Sequence, residues 1–326
     1  QPGERPMIHL TRRASLAAAA ILAAPAVRAQ SATIRIVVPF APGGSTDAVA
    51  RLVAPGLTQR LGATVIVENR GGAAGSIGTD AVAKARPDGL TWLLTFDSHA
   101  TLKALLPQLP FDPDRDLDPV MQIGGAPYVL ASKPDKPFRS ITEVVNAAKA
   151  RPDAVSFAST GNGTIGHLTM VLLQNRTQTR MTHLPYRSGG LAVNDTVAGH
   201  TDMMIGSAAV VHPHVRGGTL RTFAQFGPQR LPALSDLPTV AEAGIQGLEA
   251  EAWWGVFAPR GTPGEAITRM NAALKDSLSD AQVRRTMEEV QQARLVMSSP
   301  AEFGTFLARE VAKWGEVVRA NNIRAD

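Results

Sequence analysis

The sequence predicts an α/β protein built as two lobes that hinge like a clamshell, each lobe a βαβ-based sheet flanked by helices. Three observations carry that expectation. Between residue 34 and about residue 126, short β-branched runs alternate with helix-periodic segments in the order βαβαβ. A second, smaller series of the same kind runs from 155 to 225. The stretch 252–259, AWWGVFAP, then reads as a strand that returns to the first series. Strand–helix–strand series imply parallel sheets with right-handed crossovers.

The elements follow in order. Residues 34–39 form a strand that Pro39 stops, and 47–61 a helix. Residues 64–68 form a second strand; NRGGAAGS, 69–76, is a glycine-rich loop into a helix over 77–85. Pro87-Asp88-Gly89 is a turn. Strand 90–96 ends in Asp97-Ser98-His99, and a loop rich in proline and aspartate spans 107–119. A strand is expected over 128–132. Ser140, with Glu143 three residues on, opens a helix over 141–150 in a capping-box pattern. The second series reads as strand 155–158, loop 159–166, helix 167–175, strand 183–186, loop 188–190, helix 191–198, and short strands at 202–205 and 220–225. Helices over 263–278, 280–291 and 300–320 complete the chain. The crossings between lobes fall near 127–132 and 251–259.

Composition narrows the function. There is no cysteine, which excludes disulfides, thiolate chemistry and cysteine-ligated metals. Aromatic residues make up 5% of the chain and the net charge of +5 is spread out, which argues against nucleic acid as a partner. Part of that charge sits in the first 29 residues, where Arg5, Arg12, Arg13 and Arg28 face Glu4. Residues 7–29 read as an export signal: a twin arginine, an apolar stretch over 16–27 too short to span a bilayer, and small residues before a cleavage site after Ala29. The expected location is the periplasm, with Sec and Tat export both open.

The most informative segment is IRIVVPFAPGGSTDAVAR, residues 34–51. It is a strand, a small-residue loop and a helix N-terminus. Such a loop can aim several backbone N–H groups at one anion, helped by the positive end of the helix dipole. Gly43 and Gly44 permit close approach, and Ser45 and Thr46 add hydroxyls. Asp47 stands where a carboxylate caps a helix or touches a ligand polar group. A literal GxGxxG, Gly161 to Gly166, also follows a strand and opens a helix. A dinucleotide site needs an acid after the next strand, but that strand ends in Arg187, so a small anion, a dinucleotide or a tight turn remain as readings. No Walker A, GxSxG or HExxH motif is present. His212-Pro-His214 reads as an exposed loop rather than a metal site. His99 and His167 follow strand ends, where each can touch a ligand or bond a neighbouring loop. Adjacent Trp253 and Trp254 face opposite sides of a strand, as core or hinge packing.

The motifs PFAPGGSTDAVAR, VENRGGAAGSIG, PDGLTWLL, FASTGNGTIGHL, LPYRSGG and DTVAGHTDMM resemble those of the Bug-type solute-binding proteins of tripartite tricarboxylate transporters, in order and along essentially the whole chain after the leader. The resemblance implies a type II periplasmic binding protein clamshell, no enzymatic activity, no cofactor and no metal. It implies lobes at 30–127 plus 253–326 and at 128–252, behaving as a monomer. A small carboxylate is then held between them by main-chain N–H groups and short hydroxyls, and delivered to membrane permease subunits or presented to a sensor kinase. By the same resemblance, ligand contacts fall on Phe40, Gly43, Gly44, Ser45, Thr46 and Asp47 in the first lobe, with Ser98 at the third strand end. In the second they fall on Ser159, Thr160, Gly161, Asn162, Gly163, Thr164 and His167, then Tyr186, Arg187, Gly189 and Asp202. Departures from the family pattern are Gly71, Leu90 and Arg187. Arginine at 187 can grip a carboxylate with two bonds where lysine supplies a point charge. The competing readings are a dinucleotide-binding enzyme and a structural module of the envelope.

Overall fold

A computed structural model describes residues 32–324. The expected leader lies outside the described residues. The first strand, β1 (Thr33–Val38), leads into α1 (Ser45–Leu61), and Gly62 closes that helix in the left-handed conformation. Next come β2 (Thr64–Asn69), α2 (Ser76–Ala83) and β3 (Thr91–Phe96), followed by a 3-10 turn over Asp97–Thr101 and a single helical turn, α3 (Leu102–Leu105). β1 lies between β2 and β3, parallel to both, as the alternating pattern predicts.

The main departure from the sequence reading is β4 (Leu117–Ser132), a strand of 16 residues where five were expected. Pro119, Pro127 and the pair Gly124-Gly125 disguise its first two thirds. The register against its partner slips between Pro119 and Met121 and again between Gln122 and Gly124, so the strand absorbs its breakers as bulges. A side chain at Gly124 would stand 2.6 Å from the Arg294 carbonyl, which is why this position is bare.

The second series keeps its expected order and gains one helix, α7, between its last two strands: α4 (Ile141–Ala150), β5 (Ser156–Ser159), α5 (Ile165–Thr177), β6 (Thr182–Pro185), α6 (Gly189–Ala198), β7 (Met203–Ser207), α7 (Ala208–Arg216) and β8 (Arg221–Gln225). His212 and His214 belong to α7, which corrects the exposed-loop expectation; Pro213 sits within the same helix. The chain returns through β9 (Glu251–Pro259) and ends with α8 (Gly264–Ser279), α9 (Ala281–Glu289), the short β10 (Arg294–Leu295) and α10 (Pro300–Ala320). Ser299 and Glu302 form a full capping box at the start of α10.

The sheet runs β2-β1-β3-β9-β4-β7-β5-β6. β4 changes partners along its length: Leu117 to Pro127 pair with β9, and Tyr128 to Ser132 pair with β7 and β8. Two hydrophobic clusters cover the two faces. One holds Trp253, Phe257, Phe303, Leu105 and Phe157; the other holds Trp254, Leu57, Leu274 and Met204. Trp253 and Trp254 are therefore both core, one to each face, as their adjacency on a strand requires.

Candidate functional site

The strand directions build the site. β4 is antiparallel to β9, and β9 to β3, so β1, β2 and β3 run in the same sense as β4. β7 is antiparallel to β4, and β5 and β6 follow β7. Phe96 at the end of β3 reaches Trp254, which pairs with Gly124; Ser207 at the end of β7 pairs with Tyr128. Both groups of strands thus aim their C-terminal ends at the same short piece of β4. Four residues, about 13 Å of strand, separate the two levels. Ligands in open α/β sheets bind at such ends.

On the first side, the loop after β1 is fixed from within. Asp47 is 4% exposed, and its carboxylate accepts from the Gly43 N–H (2.9 Å), Arg51 Nε (3.1 Å) and Asn69 Nδ2 (3.0 Å). Asn69 also donates to the Phe40 carbonyl and accepts from Arg51. Burial alone would raise the pKa of Asp47; the bonds from Arg51, Gly43 and Asn69 outweigh it and hold the carboxyl below its usual range. Its charge is spent on holding the loop. Ser45 Oγ donates to Gln291 Oε1 at 2.7 Å. The Phe40 ring packs on Gly75 of the next loop, and Gly71 lies close against Phe40 and Ala41, where a Cβ would stand 3.2 Å from the Ala41 nitrogen. Gly43 has φ +85°. With these side chains engaged, the backbone amides of the first turn of α1, at Ser45 and Thr46, have no acceptor inside the helix.

The facing loop, Ser159 to Thr164, is fixed in the same manner. Gly161 and Gly163 take φ +127° and +71°. Ser159 Oγ accepts from the Gly161 N–H (3.2 Å) and lies 2.7 Å from His183 Nε2. Thr164 caps α5 and donates to the Gly161 carbonyl at 2.8 Å. The Gly163 N–H donates to His167 Nδ1 at 3.1 Å, which assigns the proton of neutral His167 to Nε2. His167 stacks on His183 at 4.0 Å, and His183 on Phe157 at 4.9 Å. Thr160 and Asn162 are half-buried at the loop surface. A Cβ on Gly163 would stand 2.5 Å from Leu105 of α3, and one on Gly166 3.2 Å from the Tyr128 ring. In a dinucleotide site the second glycine makes room for a pyrophosphate; here the chain's own leucine fills that room.

The remaining expected residues divide. Ser98 lies in the turn after β3, and its buried hydroxyl has no partner among the described residues. The Tyr186 N–H bonds the Ser159 carbonyl, which ties the β6 end to the loop, and its hydroxyl donates to Asp195 at 2.7 Å. Burial and Asp195 push that hydroxyl up to about 12, so it stays a donor committed to Asp195. Arg187 is exposed and makes no ion pair among the described residues. Gly189 opens α6 where a Cβ would strike Val210 of α7 at 2.9 Å. Asp202 is set apart from the cluster. It accepts from Ser156 N–H and Oγ and pairs with Lys136 at 2.9 Å. Ser156 opens β5 while Ser159 ends it, so Asp202 staples the far end of the sheet, about 10 Å away. His99 is also outside the site: it is buried against Phe257, and burial lowers its pKa to about 4.

Sequence reasoning missed two participants, Ser207 and Gln291, and the pairing of Arg51 with Asn69. Ser207 ends β7 at the level of Tyr128 and opens α7, a signal present as Gly206-Ser207 before an alanine-rich run. Gln291 and the Arg51–Asn69 pair support the first loop from segments distant in sequence. Among the described residues no group of histidine and acidic side chains is arranged to hold a metal, and no helix is long and apolar enough to cross a membrane.

Comparison with known proteins follows the same lines. The model of the tripartite tricarboxylate transporter family receptor matches residues 49–323. A solved structure described as the periplasmic binding protein BugD is 30% identical, with a TM-score of 0.78 over 90% of this chain and 99% of that one. Rpa4515 of R. palustris, solved with adipate, is 30% identical, with a TM-score of 0.80 over 90% of this chain and 98% of that one. MatC of Rhodopseudomonas palustris, solved with bound malate, is 31% identical, with a TM-score of 0.77 over 88% of this chain and 98% of that one.

Proposed function

The chain belongs to the tripartite tricarboxylate transporter receptor family, a family of solute-binding receptors rather than enzymes, and from that membership we propose that it captures a small organic acid in the periplasm and hands it to membrane permease subunits. The single observation that supports the site is the pair of helix N-termini, of α1 and α5, that follow strands directed at the same short piece of β4, each behind a loop held by its own side chains. Asp47 is paired with Arg51, so its charge is met within the protein and does not stand unopposed against an anion. A carboxylate would take the main-chain N–H groups of Ser45 and Thr46 on one side and those of the first turn of α5, at Ile165 and Gly166, on the other, with the Ser98 hydroxyl beside them. Arg187 is the proposed reader of a second acidic group. Charge-assisted bonds of this kind contribute roughly 1.5–3 kcal/mol each. The change of partner in β4 at Pro127 and Tyr128 supports lobes at 30–127 plus 253–326 and at 128–252. Adipate and malate in two relatives favour a dicarboxylate.

The test is a thermal-shift screen of residues 30–326 against dicarboxylates, tricarboxylates and aromatic monocarboxylates, each beside its amide, with NADH included. A ligand at 100 times its Kd adds about 2.7 kcal/mol of stability. A carboxylate that raises Tm by several degrees while its amide does not is the expected result. Mass spectrometry of a denatured extract detects a ligand already in place; an empty protein that responds to none of the acids overturns the reading.

A further inference from the structure

One interaction at the middle of the molecule belongs to neither loop. Tyr128 Oη donates to Asp97 Oδ2 at 2.7 Å, and both residues are buried. Asp97 follows β3 and precedes Ser98. Tyr128 is the residue at which β4 leaves β9 for β7, and its ring packs under Gly166 in the first turn of α5. One side chain therefore touches the α5 cradle with its ring and holds the β3 end with its hydroxyl. The Tyr128 N–H also bonds the Ala250 carbonyl, at the second crossing.

Resting on the solute-binding reading above, we infer that Tyr128 and Asp97 are positioning residues for capture, their hydrogen bond latching the two cradles at the separation a small carboxylate spans. Neither needs to touch the ligand. The groups around the latch set its response to pH. Burial pushes Asp97 up to about 7, opposed by the bonds from Tyr128 and the Ser98 N–H and assisted by Glu310 of α10. Burial likewise pushes the Tyr128 hydroxyl upward, so it remains a donor. Glu310 accepts from Trp314 Nε1 on its own helix; Lys313 beside it bonds the Glu249 carbonyl; Glu251 at the start of β9 pairs with Arg294. His99, two residues on, packs at a tilt against Phe257, and α5 brings His167 in its first turn. Above pH 7 the carboxylate is ionised and the bond is charge-assisted; below it the carboxyl is neutral and the bond is weaker.

The test uses Tyr128→Phe, Asp97→Asn and the double variant, with malate and adipate as probes at pH 8 and pH 5.5. Tyr128→Phe should weaken binding about tenfold at pH 8 and about threefold or less at pH 5.5. Asp97→Asn should abolish that difference between the two pH values, and the double variant should bind no worse than Tyr128→Phe. A cost that is equal at both pH values, or additive in the double variant, reduces the pair to structural packing and overturns the inference. A second readout needs no ligand. The chain lacks cysteine, so Arg86→Cys and Lys149→Cys place one spin label on each lobe. Tyr128→Phe should lengthen the distance between labels at pH 8; an unchanged distribution overturns the latch. If the wild type binds neither acid, the functional reading loses its support while the label distances still decide the latch.

Discussion

At the scale of single residues, the first loop separates holding from binding. Asp47 was open to both roles in the sequence, because a carboxylate at a helix start looks alike in either. Its partners Arg51 and Asn69 were each in view, but nothing in their spacing shows that one side chain takes three donors. Asp47→Ala should cost about 1.5–3 kcal/mol of stability, seen as a lower Tm without ligand, with binding falling in step. Since the folded pKa lies below the unfolded one, the stability from Asp47 is present above pH 4 and is lost as pH falls through the folded value. Gly44→Val should do the reverse. Gly44 has φ −77°, which any residue adopts, and a Cβ there meets only the Ala41 carbonyl at 3.7 Å. Stability should stay within about 0.5 kcal/mol, while titration calorimetry shows affinity reduced about a hundredfold as the methyl groups cover the α1 amides. Unchanged affinity would remove those amides from the site.

At the scale of elements, the strands and helices of both series were legible from their period, with boundaries that moved by one to three residues, while α3, α7 and β10 were not read. Most of β4 was not either, and the reason is physical. A strand is recognised by unbroken alternation, whereas LDPVMQIGGAPYVLAS carries two prolines and a glycine pair. Only its tail, YVLAS, reads as a strand. The glycines answer to neighbours that sequence does not display: Gly124 to the Arg294 carbonyl, Gly125 to Ala252 and Glu251. Gly124→Ala should therefore force β10 away from β4 and cost about 1–3 kcal/mol, measured by urea unfolding. The same variant should leave the loops after β1 and β5 intact, so a carboxylate that binds wild type should still bind. A loss of affinity larger than the loss of stability would place β10 within the ligand's reach. The α7 N-terminus shows the converse limit: its strand was found, but a Gly-Ser step before alanines carries too weak a signal to name a site.

At the scale of the whole molecule, the clamshell was legible as two βαβ series and a returning strand, while the sharing of β4 was not. That sharing makes the two halves unequal partners in folding. β4 and β9 pair across the entire second lobe: the Asp118–Arg260 contact beside them spans 142 positions of chain. The contacts of β5, β6 and β7 lie within a far shorter stretch. Closing a long loop is entropically costly and slow, and short ones close first. The inserted lobe should therefore form ahead of the lobe that surrounds it. Pulse-labelled hydrogen exchange during refolding should protect β5 and β7 amides before those of β9; simultaneous protection would show that the two form as one unit. An order of this kind means that the ligand's two cradles mature at different times. The chain offers a finished α5 loop while α1 still waits for β9 to complete the sheet beneath it, so a carboxylate present during refolding can speed only the final docking step and not the first.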